Sequence, residues 1–459
     1  MGFDFSERLE QQRKFFDTGR TMEISFRENQ LKRLLEVLKK NEKKVLEVLS
    51  ADLARPEFES IAGEIEPLYQ EIKFALQNLR NWVKSKHLSP PRWSMAHLRS
   101  SCRIHPEPFG LSLIISPWNY PFCLSLVPVV GAIAAGNCIV LKPSELSQQS
   151  SQLLTELISN HFSEDYFSCV PGDASVSQAL LSQKFDFIFF TGGSRVGKLV
   201  MKAAAEHLTP VALELGGKSP ALLDPSADLE VSLKRILWAK FFNGGQTCVS
   251  PDYLLVPEEK LNRCIHFCKS RIEKIYLANE SWKHQNKIIN RVHLNRLAQL
   301  LEGQKVLIGG DQDEGHCALS PCLVENPSLD SPLMKEEIFG PILPILSYRT
   351  LDDVLQILKS LPKPLAFYIF TKPGSKSEKL ATRFSAGGVV INDCMIHLTN
   401  PKLPFGGVGQ SGFGAYHGVY GFQCFSHFKS IEHKGFWPDF KWRYPPYKSS
   451  LLRQIRRFL

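Results

Sequence analysis

The sequence predicts an α/β protein built on a doubly wound parallel sheet, with a second α/β domain following it. Three observations carry that prediction. Residues 111–141 contain no charged side chain, yet Pro117, Asn119, Pro121, Pro128, Gly131 and Gly136 punctuate them. Strand-like and helix-like stretches then alternate, and the strand at 185–190 runs into the glycine-rich turn TGGSRVGK at 191–198. The same rhythm returns after residue 250, with no repeat linking the two halves. A chain of 459 residues exceeds one ordinary core, which agrees with two or three domains.

Taken in order, residues 25–53 read as a helix. Phe26, Leu31, Leu34, Leu35, Leu38, Val45, Leu46 and Val48 recur near a 3.6-residue period there. A second amphipathic helix covers 64–83. SPPRW at 89–93 breaks it, and 99–108 reads as extended. A hydropathy window would take 111–141 for a membrane span. Its prolines and glycines favour instead a buried strand (111–115), a polar-tipped turn (116–122), a helix entered through Pro128, and a strand (138–141). Buried parallel strands read as unbroken apolar runs because helices cover both faces.

Helix 152–161, strand 166–170, helix 175–182 and strand 185–190 continue the pattern. A strand feeding a glycine-rich turn at a helix start aims backbone N–H groups where a phosphate could sit. The spacing is not GxGxxG, so the turn alone is weak evidence. PVALELGGKSP at 210–220 places Glu214 in an otherwise apolar strand. A buried carboxylate is costly unless paired, and Lys218 is the candidate partner. Left unpaired, desolvation would raise its pKa toward a general base's range.

Strand 253–256, helices 261–275 and 294–301, and strands 322–325, 343–346, 366–370 and 388–392 fill the second half. Residues 404–418 hold six glycines among fifteen residues, a loop that either moves or packs its backbone closely. Residues 422–427 read as extended. The tail mixes Leu451, Leu452, Ile455 and Phe458 with Lys448, Arg453, Arg456 and Arg457.

An apolar fraction of 43% with 22% charged residues fits a soluble globular protein. The net charge of +9 is spread among interspersed acidic residues, which argues against nucleic-acid binding. Eleven scattered cysteines with no secretory signal favour a reducing compartment, the cytoplasm. Their spacing with histidine lacks the four-ligand zinc pattern, so no metal site is expected. Residues 1–6 match the loose myristoylation pattern.

One cysteine stands apart. In FNGGQTCVSPDY (242–253), Cys248 lies between a Gly-Gly-Gln-Thr turn and a Val-Ser-Pro turn. Gly244 and Gly245 permit a tight bend, and Pro251 stops regular structure. A small thiol on such a bend is placed to attack, if a base or its surroundings deprotonate it. A buried structural cysteine is the alternative.

These stretches together resemble the aldehyde dehydrogenase superfamily, and most closely its class 3 branch of fatty and aromatic aldehyde dehydrogenases. The blocks are SPWNYPF (116–122), LKPSE (141–145), TGGSRVGK (191–198), LELGGKSP (213–220), GGQTCVSPDY (244–253), EEIFGP (336–341), LPFGGVGQSGFG (403–414) and RYPP (443–446). They stand in family order along nearly the whole chain.

The resemblance implies NAD(P)-dependent oxidation of medium- or long-chain aliphatic or aromatic aldehydes to carboxylic acids. Cys248 would be the nucleophile, Asn119 and the Cys248 N–H the oxyanion site, and Glu214 the base that activates water. Glu337 is a rival for that base. Trp118, Lys142, Glu145, Gly192, Gly193, Ser194 and Gly197 would contact the cofactor, with Glu337 and Phe339 at its nicotinamide end. Arg195 departs from the class pattern and leaves NAD or NADP open, while Glu145 near ribose hydroxyls favours NAD.

The implied fold is a Rossmann-type cofactor domain (1–84 and 106–213), an α/β catalytic domain (214–426) and a small β oligomerisation element (85–105 and 427–440). That element implies a homodimer. A basic amphipathic tail (441–459) follows. Thirteen residues after Pro446 are too few to span ~30 Å of hydrocarbon, but the tail is suited to peripheral contact with an anionic bilayer.

Overall fold

The computed structural model describes residues 4–91 and 95–447. Its first sheet has six strands, in the order Gly412–Phe413, Val211–Glu214, Phe187–Thr191, Leu111–Ile115, Cys138–Lys142, Phe167–Cys169. All neighbours run parallel except the first pair. Leu111–Ile115 is buried along its whole length because helices pack on both faces. The chain leaves this central strand in one direction and later returns to extend the sheet in the other. The crevice beyond the ends of Leu111–Ile115 and Phe187–Thr191 is therefore a topological switch point, where such sheets bind ligands. SPWN and TGGS open from those two strand ends.

The second sheet has seven strands, in the order Val306–Ile308, Cys322–Glu325, Ile342–Tyr348, Tyr253–Pro257, Pro220–Leu223, Ala366–Phe370, Gly388–Ile391. Only its outermost pair is antiparallel. A third, antiparallel sheet joins Lys86–Leu88, Ser100–Pro108 and Ser426–Lys434. The last two strands pair from Ser426 opposite Pro108 to Lys434 opposite Ser100, and most of Ser426–Lys434 is exposed.

Several elements differ from expectation. Residues 25–53 form two helices, Ile24–Lys40 and Glu42–Leu53, because the Asn41 side chain donates back to the Val37 carbonyl at 2.8 Å. Pro128 lies inside the helix Cys123–Ala135 rather than at its start. A tertiary cap explains the earlier start: a Glu64 carboxylate oxygen accepts the N–H groups of Phe122 and Cys123 at 3.1 and 2.8 Å.

Residues 422–427 are not simply extended, since the helix Gly418–Cys424 precedes the strand Ser426–Lys434. Two glycines let that helix settle on Cys123–Ala135. A β-carbon on Gly131 would stand 3.0 Å from the Gly421 carbonyl. The apolar run 111–141 folds as strand, turn, helix and strand, and among the described residues no helix is long and apolar enough to cross a membrane. The tail from 448 onward and residues 1–3 of the myristoylation pattern lie outside the described residues.

Candidate active site

The helix Leu229–Phe241, capped by the Asp228 side chain, delivers the chain to a turn at Phe242–Gly245. Asn243, Gly244 and Gly245 take φ values of 53, 60 and 71° in succession. Glycine is required here by proximity as well as by sign, since a β-carbon on Gly245 would lie 2.3 Å from the Gly340 carbonyl oxygen. Gln246 then anchors the loop. Its amide donates to the carbonyls of Asn243 (3.2 Å) and Lys287 (3.1 Å), and its oxygen accepts Ile289 N–H at 3.1 Å. On the far side, the Tyr368 hydroxyl donates to the Val249 carbonyl. Cys248 is thus held from both flanks and left partly exposed.

Burial pushes the Cys248 thiol up to about 12, with the Glu337 and Glu214 carboxylates adding to the effect. The neutral thiol is a poor nucleophile until a base takes its proton.

Asn119 lines the same cavity as Cys248 and is 3% exposed. One of its amide hydrogens goes to the Gln246 carbonyl at 3.0 Å, which fixes the carboxamide and leaves the second hydrogen free. Its backbone carbonyl accepts from Asn243 Nδ2 at 3.1 Å and from the Arg55 guanidinium.

Two carboxylates complete the cluster. Glu214 is 3% exposed, and neither of its oxygens has a hydrogen-bond partner among the described residues. Burial drives its pKa well above the ordinary carboxylate range. The Lys218 pairing expected from sequence does not form. Lys218 points away, into an ion pair with Asp252 and onto the Leu333 and Glu336 carbonyls at 2.8 Å. The Gly216–Gly217 turn separates the two residues, leaving Glu214 at the end of the first sheet and carrying Lys218 over to the second, whose strand Pro220–Leu223 follows. Glu337 is raised to about 8, by burial first and by Asp252 second, against the Gly217 N–H, Lys218 and Arg296.

Cys248 lines two cavities at once. The first, about 260 Å³, also takes in Trp118, Asn119, Gly192, Gly193, Glu214, Glu337 and Phe339. Phe339 has φ 51° and meets Trp118 edge-on at 5.5 Å. The second cavity, about 180 Å³, is walled by Tyr120, Trp238, Phe242, Met395, Ile396 and Leu398 among others. Leu124, Phe405 and Tyr416 are shared by both.

The helix Ser194–Ala205 starts beside the first cavity with no side-chain cap on its free N–H groups. A β-carbon on Gly192 would reach the Phe190 ring at 2.6 Å and one on Gly197 would reach Leu215 at 2.8 Å, while Gly193 faces open space. Lys142 and Glu145 form an ion pair at 3.0 Å away from this cavity, with Glu145 on a separate, shallower one of about 560 Å³. Among the described residues, no group of His, Cys, Asp or Glu converges to hold a metal ion.

The aldehyde dehydrogenase family model matches residues 4–431. The chain is 44% identical over 451 residues to aldehyde dehydrogenase family 3 member H1 of Arabidopsis thaliana, covering 97% of this chain and 92% of that protein. A substrate-bound structure of Staphylococcus aureus AldH superposes with a TM-score of 0.94 at 40% identity, covering 99% of each chain. The chain belongs to the aldehyde dehydrogenase family. It is therefore an NAD(P)-dependent oxidoreductase that converts aldehydes to acids. A further family structure, a mutant of AldC from Pseudomonas syringae in complex with NAD+ and octanal, matches with a TM-score of 0.82 at 27% identity, over 92% of this chain and 87% of that one.

Within this aldehyde dehydrogenase the sequence left several contributors unnoticed. Tyr416, His293 and Arg296 line the first cavity, and Arg55 and Glu64 form an ion pair with both side chains fully buried. Arg55 lies in the short linker between the helices ending at Leu53 and starting at Glu57, where only the proline after it marked the sequence, and Glu64 reads as one more charge at a helix start.

Proposed function

We propose that this enzyme oxidises medium- or long-chain aliphatic or aromatic aldehydes through a covalent intermediate on Cys248. The observation that carries this reading is the position of Cys248 at the junction of two cavities, with Asn119 and two raised carboxyls around one of them. The residues on that side fit a nicotinamide dinucleotide. The uncapped helix start at Ser194, with Gly192, Gly193 and Gly197, suits a pyrophosphate. Lys142 and Glu145 suit ribose hydroxyls, and Trp118, Glu337 and Phe339 suit the nicotinamide end. Glu145 favours NAD, and the exposed Arg195 keeps NADP in the comparison.

Cys248, deprotonated by a neighbouring carboxylate, adds to the aldehyde carbon and gives a thiohemiacetal. The free Asn119 amide hydrogen and the Cys248 N–H stabilise the oxyanion, each by about 3 kcal/mol in comparable sites. A nicotinamide dinucleotide held there would supply the hydride acceptor, and loss of hydride from the thiohemiacetal carbon as its oxyanion collapses leaves a thioester on Cys248. Glu214 then takes a proton from water, hydroxide adds to the thioester carbon, and the acid departs as the thiolate re-forms. Glu337 is the rival for this last role. The apolar second cavity suits a hydrocarbon chain or ring, and octanal in the AldC complex is a ligand of that class.

In this reading the first sheet, apart from its edge strand Gly412–Phe413, belongs to the cofactor domain (1–84 and 106–213), the second sheet to the catalytic domain (214–426), and most of the third sheet to the oligomerisation element (85–105 and 427–440). The exposed strand Ser426–Lys434 supports a homodimer, which sedimentation would check; a monomer at micromolar concentration rejects it. Eleven unpaired cysteines support a reducing compartment such as the cytoplasm. Liposome flotation with and without residues 447–459 tests membrane contact.

The deciding experiment for the reaction is reduced-cofactor formation with hexanal, decanal and benzaldehyde, on wild type and Cys248→Ala. Turnover in the first and none in the second supports the reading. No turnover by wild type with either cofactor overturns it.

A further inference from the structure

The proposed oxyanion donors sit on two loops that are distant in sequence, and one buried side chain spans them. Arg55 follows Ala54, which leaves the helix Glu42–Leu53 in a left-handed conformation at φ 49°. Its Nε donates to Asn243 Oδ1 at 3.0 Å, one Nη to Glu64 Oε1 at 2.8 Å, and the other Nη to the Asn119 carbonyl. The guanidinium carbon also lies 4.8 Å from the centre of the Tyr120 ring, whose hydroxyl meets Thr247 Oγ1 at 2.7 Å. Glu64 completes the assembly through Phe122 and Cys123 N–H. The pair therefore grips the 119–123 loop at four residues and the Cys248 loop at Asn243.

We propose that Arg55, backed by Glu64, is a positioning residue for the oxyanion site, setting the Asn119 amide against the Cys248 N–H. The inference rests on the reading of Asn119 and Cys248 given above. A planar guanidinium presents its donors in a fixed fork, so one side chain imposes the relative geometry of all three acceptors. Buried ion pairs give little net stability over well-packed apolar side chains, which makes geometry the stronger reason to hold a charge here. Asn243 repeats the link, since its Nδ2 donates to both the Asn119 carbonyl and the Gln246 carbonyl, at 3.1 and 3.2 Å.

The test is a double-mutant cycle. Arg55→Lys keeps the charge beside Glu64, but a single ammonium cannot reproduce the fork. Expected is a fall in kcat/KM of about 10²-fold, mostly in kcat, with the cofactor dissociation constant from tryptophan quenching unchanged within about twofold. In an Asn119→Ala background the same substitution produces no further loss, because the group it positions is gone.

Should Arg55→Lys fail to fold, the charge-neutral pair Arg55→Met with Glu64→Gln enters the same cycle. Losses that multiply in the combined variant, or an undiminished kcat in Arg55→Lys, overturn the inference while leaving the site reading intact. A fully active Asn119→Ala overturns the site reading and the inference together.

Discussion

The carboxylate of Glu337 occupies the space in which a β-carbon on Gly216 would stand, 2.0 Å from its Oε2. The Gly216–Gly217 turn thus admits the acid side chain and supplies the Gly217 N–H to it. Gly216→Ala should displace Glu337 and lower kcat by about 10²-fold, as small misplacements at a reacting centre do. Thermal unfolding within a few degrees of wild type would confirm that the loss is local.

Asn119→Ala should lower kcat by about 10²–10³-fold, the usual cost of one oxyanion donor. Alkylation of Cys248 by iodoacetamide should continue, because that reaction develops no oxyanion. A variant that lost both activities together would place Asn119 in the fold of the loop rather than in transition-state binding.

The pH dependence follows from the raised carboxyls. A carboxyl raised to about 8, as for Glu337, is mostly protonated at neutral pH and becomes a base only as pH rises through that value. Thioester hydrolysis should therefore accelerate from neutral to alkaline pH. Substituting glutamine for the carboxylate that activates water should remove this limb, in Glu214→Gln if Glu214 serves and in Glu337→Gln if Glu337 does. Single-turnover hydrolysis at several pH values separates the two.

Glu214→Gln should also stabilise the protein in a pH-dependent way. The folded Glu214 carboxyl keeps its proton well above 4.5, whereas the unfolded one loses it near that value. Folding thus carries a penalty that is absent below the unfolded pKa and grows as pH rises beyond it. Tm of the variant should exceed wild type by a few degrees at about pH 8 and match it at about pH 4.

Trp238 lines only the second cavity and is 43% exposed, which places it toward the mouth. Trp238→Ala should raise KM for decanal about tenfold, the equivalent of losing cover over roughly two methylenes. KM for acetaldehyde should hold, and an equal rise for both would remove Trp238 from the path of the chain.

The alternation of apolar runs with glycine and proline breaks exposed the two parallel sheets in the sequence, because each buried strand must be apolar on both faces. The Cys248 turn was legible from Gly244 and Gly245, because glycine takes left-handed backbone freely; that Asn243 joins them at φ 53° was not. Long-range partners were not. Glu64 capping Cys123–Ala135 placed that helix start before Pro128, and Lys218 found Asp252 instead of Glu214. Both are tertiary choices between groups that local pattern treats alike. Arg55 was invisible for the same reason, since an arginine in a short linker between helices reads as solvated until its acceptors are brought to it.

Cys248 borders two cavities, and among the described residues only Leu124, Phe405 and Tyr416 border both beside it. The two walls are free to diverge at different speeds in descent. On the function proposed above, substitutions at Trp238, Ile396 or Leu398 would redraw the range of aldehydes accepted while the residues proposed to meet the dinucleotide stay as they are. A lineage with this layout acquires new substrates by editing one side of a sulfur atom.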